Sequence, residues 1–209
     1  MTLFVILTLT AVISYLCGCV NGAIVTSKYV FRRDIRKYGS GNPGLTNFCR
    51  VFGKRGVALL LIIDAVKAAV PVYLAGIVFK NMNVDIEGVR ACALFFVMLG
   101  HSFPIYHRFK GGKTVLCAGV GMWFIDWRVA LVCWAVFAMI FLLTHLVSLG
   151  SIGAGMAYPF VAACLGTCSE NWMYIFMFAS AALLVIRHRG NIQRLLDGTE
   201  KRMYIIKEQ

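Results

Sequence analysis

Carboxylates are scarce in this chain: nine Asp and Glu stand against 21 Lys and Arg, giving a formal charge of +12 over 209 residues. The eight cysteines form no CxxC pair and show no metal-ligand spacing, so they read as small buried hydrophobes kept reduced. No Lys or Arg precedes the first apolar run, 3–26, and that run is longer than a signal-peptide core. A cleaved leader is thereby disfavoured, and the segment reads as a retained helix. Repeats, low-complexity tracts and linkers are missing as well.

What is present is hydrophobic. Apolar types make up 60% of the residues, and the mean hydropathy is +0.77, outside the soluble range. After the first run, further apolar runs fall at about 57–79, 90–105, 114–126, 127–145, 149–167 and 171–187. These predict an all-α integral membrane protein with seven transmembrane helices. The 90–105 and 114–126 runs fall below a full crossing, as short or broken helices around a site would.

Orientation follows from the cations, because positive loops resist translocation. With the amino terminus outside, the inward segments hold 17 Lys and Arg, six of them between Arg187 and Lys207, and the outward loops hold three. The carboxyl terminus is then cytoplasmic. A positive inner face suits anionic lipid and anionic substrates, not nucleic acid. The run Lys28, Arg32, Arg33, Arg36 and Lys37 serves first as the topology anchor after the first helix.

Three polar, glycine-rich segments share that inner side. In residues 39–47, GSGNPGLTN, the glycines and proline shape a tight loop whose amides could face one anion; Ser40, Asn42 and Asn47 add donors, and Arg50 lies one turn beyond. In residues 100–114, Gly111 and Gly112 sit between Lys110 and Lys113 before a short helix, an arrangement suited to phosphate, with His101 just upstream. Gly112-Lys113-Thr114 is not a Walker loop, because His107 occupies the position where that pattern needs its first glycine. In the third segment, residues 187–200, His188 and Asn191 share a face if the helix continues. Asp64 and Lys67 read as an intramembrane pair, and Ser148 to Gly155 as a small-residue inward connection.

The runs GSGNPGLTN, GHSFP with FKGGK, and HRGNIQRLLDGTE, in that order, resemble the bacterial acyl-phosphate:glycerol-3-phosphate acyltransferases, the PlsY family. The resemblance spans the whole chain, 1–209, as one membrane-embedded acyltransferase domain. It implies transfer of a fatty acyl group from acyl phosphate to the 1-hydroxyl of glycerol 3-phosphate, in a monomer of the bacterial inner membrane whose site faces the cytoplasm. It implies no cofactor or metal and no soluble acyl carrier. Carried over, Ser40, Lys113, His188 and Asn191 become the expected catalytic set. Gly39, Asn42, Asn47, Arg50, His101, Lys110, Gly111, Gly112 and Ser151 become the expected substrate-binding set. Thr114 stands where the pattern usually has glycine. None of the four histidines opens an HxxxxD motif, which disfavours an acyl-CoA transferase of the soluble-headed kind. The competing reading is a membrane transporter of organic phosphates, which would need inverted repeats and a polar path to midplane.

Overall fold

The computed structural model describes residues 2–203, which hold helices and no strand; Lys207, counted among the inward cations, lies outside them. Lipid offers backbone N–H and C=O groups no water, so each apolar run closes its own hydrogen bonds as a helix. The helices are α1 Thr2–Gly18, α2 Gly22–Phe31, α3 Leu45–Phe52, α4 Val57–Phe79, α5 Ile86–Ser102, α6 Val115–Ile125, α7 Trp127–Thr144, α8 Val147–Cys164, α9 Tyr174–Arg187 and α10 Arg189–Leu196. Five stretches are long and apolar enough to cross a membrane: Leu3–Phe31, α4, Ile86–His107, α7 and α8. α6 and α9 are apolar but shorter, at 11 and 14 residues.

The first run departs from the expected single helix. It breaks at residues 19–21, where Asn21 leaves helical backbone and its Oδ1 accepts from Ile24 N at 2.9 Å, capping α2. Two backbone groups at the break find partners on α4. Lys67 Nζ donates to Val20 O at 2.6 Å, and Gly22 N donates to Asp64 Oδ1 at 2.9 Å. Asp64 and Lys67 pair with each other at 2.7 Å, as the sequence implied, and thereby seal the break.

Two further expectations are corrected. α5 begins at Ile86, not near 90, because Asp85 caps it by accepting from Gly88 N at 3.0 Å. The Ile86–His107 stretch is therefore long enough to cross, although its polar first turn (Glu87, Arg90) concealed this. Residues 148–155 are helical and belong to α8, leaving only His145 and Leu146 to connect it to α7. The small residues of this stretch allow close helix contact, as their type implied: a Cβ on Gly150 would touch Phe137, and one on Gly153 would collide with Ile140.

α5 is the central helix, packed against α1, α4, α6 and α9. α1 approaches it backbone to backbone at Gly18 and Gly100, where a Cβ would strike the carbonyls of Val97 and Tyr15. A second cluster of Ile24, Ile35, Phe48 and Leu60 joins α2, α3 and α4, with Phe31 stacked on Phe52 at 4.3 Å between centroids. That cluster anchors the loop of residues 39–44 beside the main bundle.

Candidate active site

A cavity of about 350 Å³ opens at one end of the bundle, and each of the three polar segments contributes to its wall. Ser40, Asn42, Asn47 and Arg50 enter from the first, Lys113 from the second, and His188 and Asn191 from the third. Ser151 lines it from α8, and His101 and Asp64 from the buried pair's side. Side chains distant in sequence therefore do converge.

Several backbone amides of these segments are bonded within the protein. In the first loop Ser40 N donates to Asn47 Oδ1 at 2.9 Å, Gly41 N to Tyr38 O at 3.0 Å, and Gly44 N to Asn42 O at 3.0 Å. Asn47 Nδ2 in turn donates to Tyr38 O at 3.0 Å, so Asn47 is a clip that holds the loop. Gly39, with φ of +59°, supplies the bend and stands outside the cavity lining. These three amides are consumed in shaping the loop, whose Ser40, Asn42 and Asn47 line the cavity.

The paired glycines of the second segment are likewise structural. Gly111 N donates to Ser102 O at 3.2 Å and Gly112 N to His101 O at 3.0 Å, folding the segment back on the end of α5. Their carbonyls accept from the Arg187 guanidinium at 2.9 and 3.0 Å. A Cβ on Gly112 would enter the His101 ring, which explains the glycine by close approach. The Gly111 and Gly112 amides, expected to face phosphate, are here bonded to the Ser102 and His101 carbonyls, and both glycines and exposed Lys110 lie outside the lining. Lys113 alone of this segment's cations reaches the cavity. Thr114 has φ of +66°, a left-handed backbone that suits glycine, which accounts for the residue type expected there.

At the third segment α9 stops at Arg187 and α10 restarts at Arg189, so His188 and Asn191 share the cavity across a break and not along one helix. Here sequence reasoning missed the organising group. Gly198, with φ of +67°, turns the tail back, and Glu200 lands between three donors. Its Oε1 accepts from Asn191 Nδ2 at 2.6 Å and Ser148 Oγ at 2.8 Å, and its Oε2 accepts from Arg194 Nε at 2.7 Å. Burial pushes the Glu200 carboxyl up, but these hydrogen bonds together carry it below the usual range. Because Nδ2 of Asn191 faces Glu200, its Oδ1 must face Lys113 Nζ, and the two are in contact. The signal available was a carboxylate, one of two with Asp197 among residues 187–202, in a strongly basic tail.

Burial, followed by the nearby Arg194 charge, lowers the Lys113 ammonium to about 8. Burial also lowers His188 to about 4, against a smaller opposing effect from the Leu184 carbonyl. His188 is thus neutral near pH 7. Its Nδ1 lies 2.8 Å from Leu184 O, an acceptor, so Nδ1 carries the proton and Nε2 is left as an acceptor. His101 is committed differently: its Nδ1 accepts from Lys67 Nζ at 2.6 Å.

The far end of the cavity is apolar. Met122, Cys133, Trp134, Phe137, Gly155 and Leu184 line it between α6, α7, α8 and α9. The sequence reading had not placed this half. A charged mouth continuous with an apolar slot suits a molecule with an anionic head and a hydrocarbon tail.

Solved proteins share this architecture. The chain matches the crystal structure of PlsY (YgiH), an integral membrane glycerol 3-phosphate acyltransferase in its glycerol 3-phosphate form, with a TM-score of 0.83. Identity is 31%, covering 95% of this chain and 96% of that one. The lysophosphatidic acid form of that protein gives 0.81. Fold and apolar helices together define a multi-pass integral membrane protein of the acyltransferase class. Glycerol-3-phosphate acyltransferases of Thermoanaerobacter pseudethanolicus and Endomicrobium trichonymphae are 34% and 38% identical, over 93% and 95% of this chain and 94% and 96% of theirs. The family model for glycerol-3-phosphate acyltransferase covers residues 8–198, and the chain belongs to that family.

Proposed function

We propose that this protein transfers a fatty acyl group from acyl phosphate to the 1-hydroxyl of glycerol 3-phosphate, giving lysophosphatidate and inorganic phosphate. The observation that carries the reading is the single cavity with cations at one end and hydrocarbon-lined walls at the other. Two phosphates must be held together against their repulsion, and Arg50, Lys113, Arg194 and Lys201 line the mouth where they meet. The acyl chain occupies the slot that ends at Cys133 and Leu184. The distribution of cations supports a seven-span chain with its mouth on the cytoplasmic side of the bacterial inner membrane.

Acyl phosphate is already activated, so placement and charge stabilisation suffice. The 1-hydroxyl attacks the carbonyl carbon, the carbonyl carbon–oxygen bond to phosphate breaks, and the departing phosphate takes the hydroxyl proton. Neutral His188 accepts a hydrogen bond from the hydroxyl at Nε2 and orients it, while Ser40 steadies the donor at the opposite wall. Lys113, its charge directed by Asn191, stabilises the phosphate as it leaves. No enzyme-bound acyl intermediate is required.

Proteoliposomes supplied with acyl phosphate and glycerol 3-phosphate test the reading, scored for phosphate release and for glycerol phosphate flux. Release with ester formation is expected, and Lys113→Ala should abolish it while leaving helix content intact. Flux without ester would instead establish the transporter reading.

A further inference from the structure

At the end of the bundle away from the candidate active site, an open cleft of about 550 Å³ lies among the first turns of α5, the end of α6 and the start of α7. Four charged side chains line it: Glu87, Arg90, Asp126 and Arg128. Two of these satisfy each other. Asp126 accepts from Arg128 Nε at 3.0 Å and Nη2 at 2.8 Å, and its Oδ2 also accepts from Thr167 Oγ1 at 3.0 Å. The other two have no such match. Arg90 Nε is buried without a hydrogen-bond partner among the described residues. The Nε–Nη2 edge of its guanidinium faces Gly76 of α4, where a Cβ would collide with it, so the glycine makes room for this cation. Glu87 forms no ion pair with it among the described residues, although the two are three apart on α5 and share a face.

Arg90 and Glu87, neither in an ion pair among the described residues, bring a cation and a carboxylate to the wall of one cleft, where a ligand carrying both charges can meet each. Trp123 and Trp127 flank the cleft, 44% and 61% exposed, and tryptophan pairs of this kind mark the headgroup level of a bilayer. We infer that this cleft binds the headgroup of a zwitterionic phospholipid bearing a primary amine, its phosphate on Arg90 and its ammonium on Glu87. A purely anionic headgroup would leave Glu87 opposed, and a quaternary amine has no N–H to give it. The ethanolamine headgroup, with a two-carbon link between phosphate and amine, fits both charges on one helical face. This site is separate from the acyl-transfer cavity, and its occupancy does not depend on the reaction proposed there.

The full chain, purified in mild detergent, is equilibrated with phosphatidylethanolamine, phosphatidylglycerol and phosphatidylcholine of matched acyl chains, and bound lipid is counted by native mass spectrometry. Phosphatidylethanolamine should be retained about tenfold over either competitor, and Arg90→Gln should remove that retention. Glu87→Gln should keep lipid binding but erase the preference for the primary amine. If Arg90→Gln fails to fold, judged by gel filtration and acyl transfer, Glu87→Gln and the wild-type lipid series decide alone. Equal retention of the three lipids, or a preference unchanged in Glu87→Gln, would overturn the proposal. Displacement by soluble glycerophosphoethanolamine at concentrations matching the lipid would assign the cleft to a soluble phosphate and reject the bilayer lipid.

Discussion

Lys113 is the residue on which charge and geometry coincide, and its behaviour with pH follows from its surroundings. Burial favours its neutral form and brings its ammonium to about 8, so the charge is present below that pH and lost as pH rises through it. kcat/KM for glycerol 3-phosphate should therefore fall above about pH 8, and Lys113→Arg should move that limb several units higher because guanidinium stays protonated. With His188 already neutral, held down to about 4 by burial, no imidazole limb should appear between about pH 6 and 7. An ascending limb there that is lost in His188→Gln, and so is separate from the phosphate's own second ionisation near about pH 6, would show that His188 titrates during turnover. Glu200 supports a second expectation at this scale. Glu200→Gln keeps the shape but loses the charge that holds Arg194 and orients Asn191, contacts each in the range of about 1.5–3 kcal/mol. Steady-state assays should show kcat/KM down about 10- to 100-fold, with the variant still folded by circular dichroism.

Among the elements, the elbow between α1 and α2 has a double role through one side chain. Asn21 caps α2 with its Oδ1 and donates from Nδ2 to Pro43 O at 3.2 Å in the first polar loop. Asn21→Ser retains a capping oxygen but cannot donate in the same way, whereas Asn21→Ala loses both contacts, costing about 1 kcal/mol from the cap alone. Thermal unfolding should separate the two variants, while both raise KM for glycerol 3-phosphate; equal KM to wild type would detach the elbow from the loop. Long apolar periods such as α4 and α7 were legible from sequence because lipid imposes one solution on them. The elbow was not legible, since a lone Asn in an uncharged apolar run carries little signal until Asp64 and Lys67 are seen across from it. The convergence of Arg50, Lys113 and Asn191 was also readable, from motif order and sidedness. The fate of the loop amides was not, because a glycine that opens a backbone to a ligand and one that permits a close approach look alike in a sequence. The apolar slot escaped for a related reason: Met122, Cys133 and Leu184 are ordinary membrane residues until packing leaves space between them.

For the whole molecule, sidedness and chain length are the measurable consequences. Cys164 is exposed at the end of α8 away from the polar mouth, so a membrane-impermeant maleimide should label it in intact cells, with Cys164→Ser as the control. In the Cys164→Ser background, Lys54→Cys, near the mouth, should label only after permeabilisation, and the reverse pattern would invert the orientation. Cys133→Trp should fill the deep end of the slot, lowering kcat/KM for long acyl phosphates by at least about tenfold while sparing short ones. A uniform loss across chain lengths would remove the hydrocarbon from that slot. The elbow also constrains biosynthesis. Residues 19–21 reach the bilayer before α4 has been made, at a time when Val20 O and Gly22 N have no Lys67 or Asp64 to meet them. The nascent amino-terminal segment is therefore most stable as one unbroken rod, and it acquires its bend only when a later helix arrives and docks beside it.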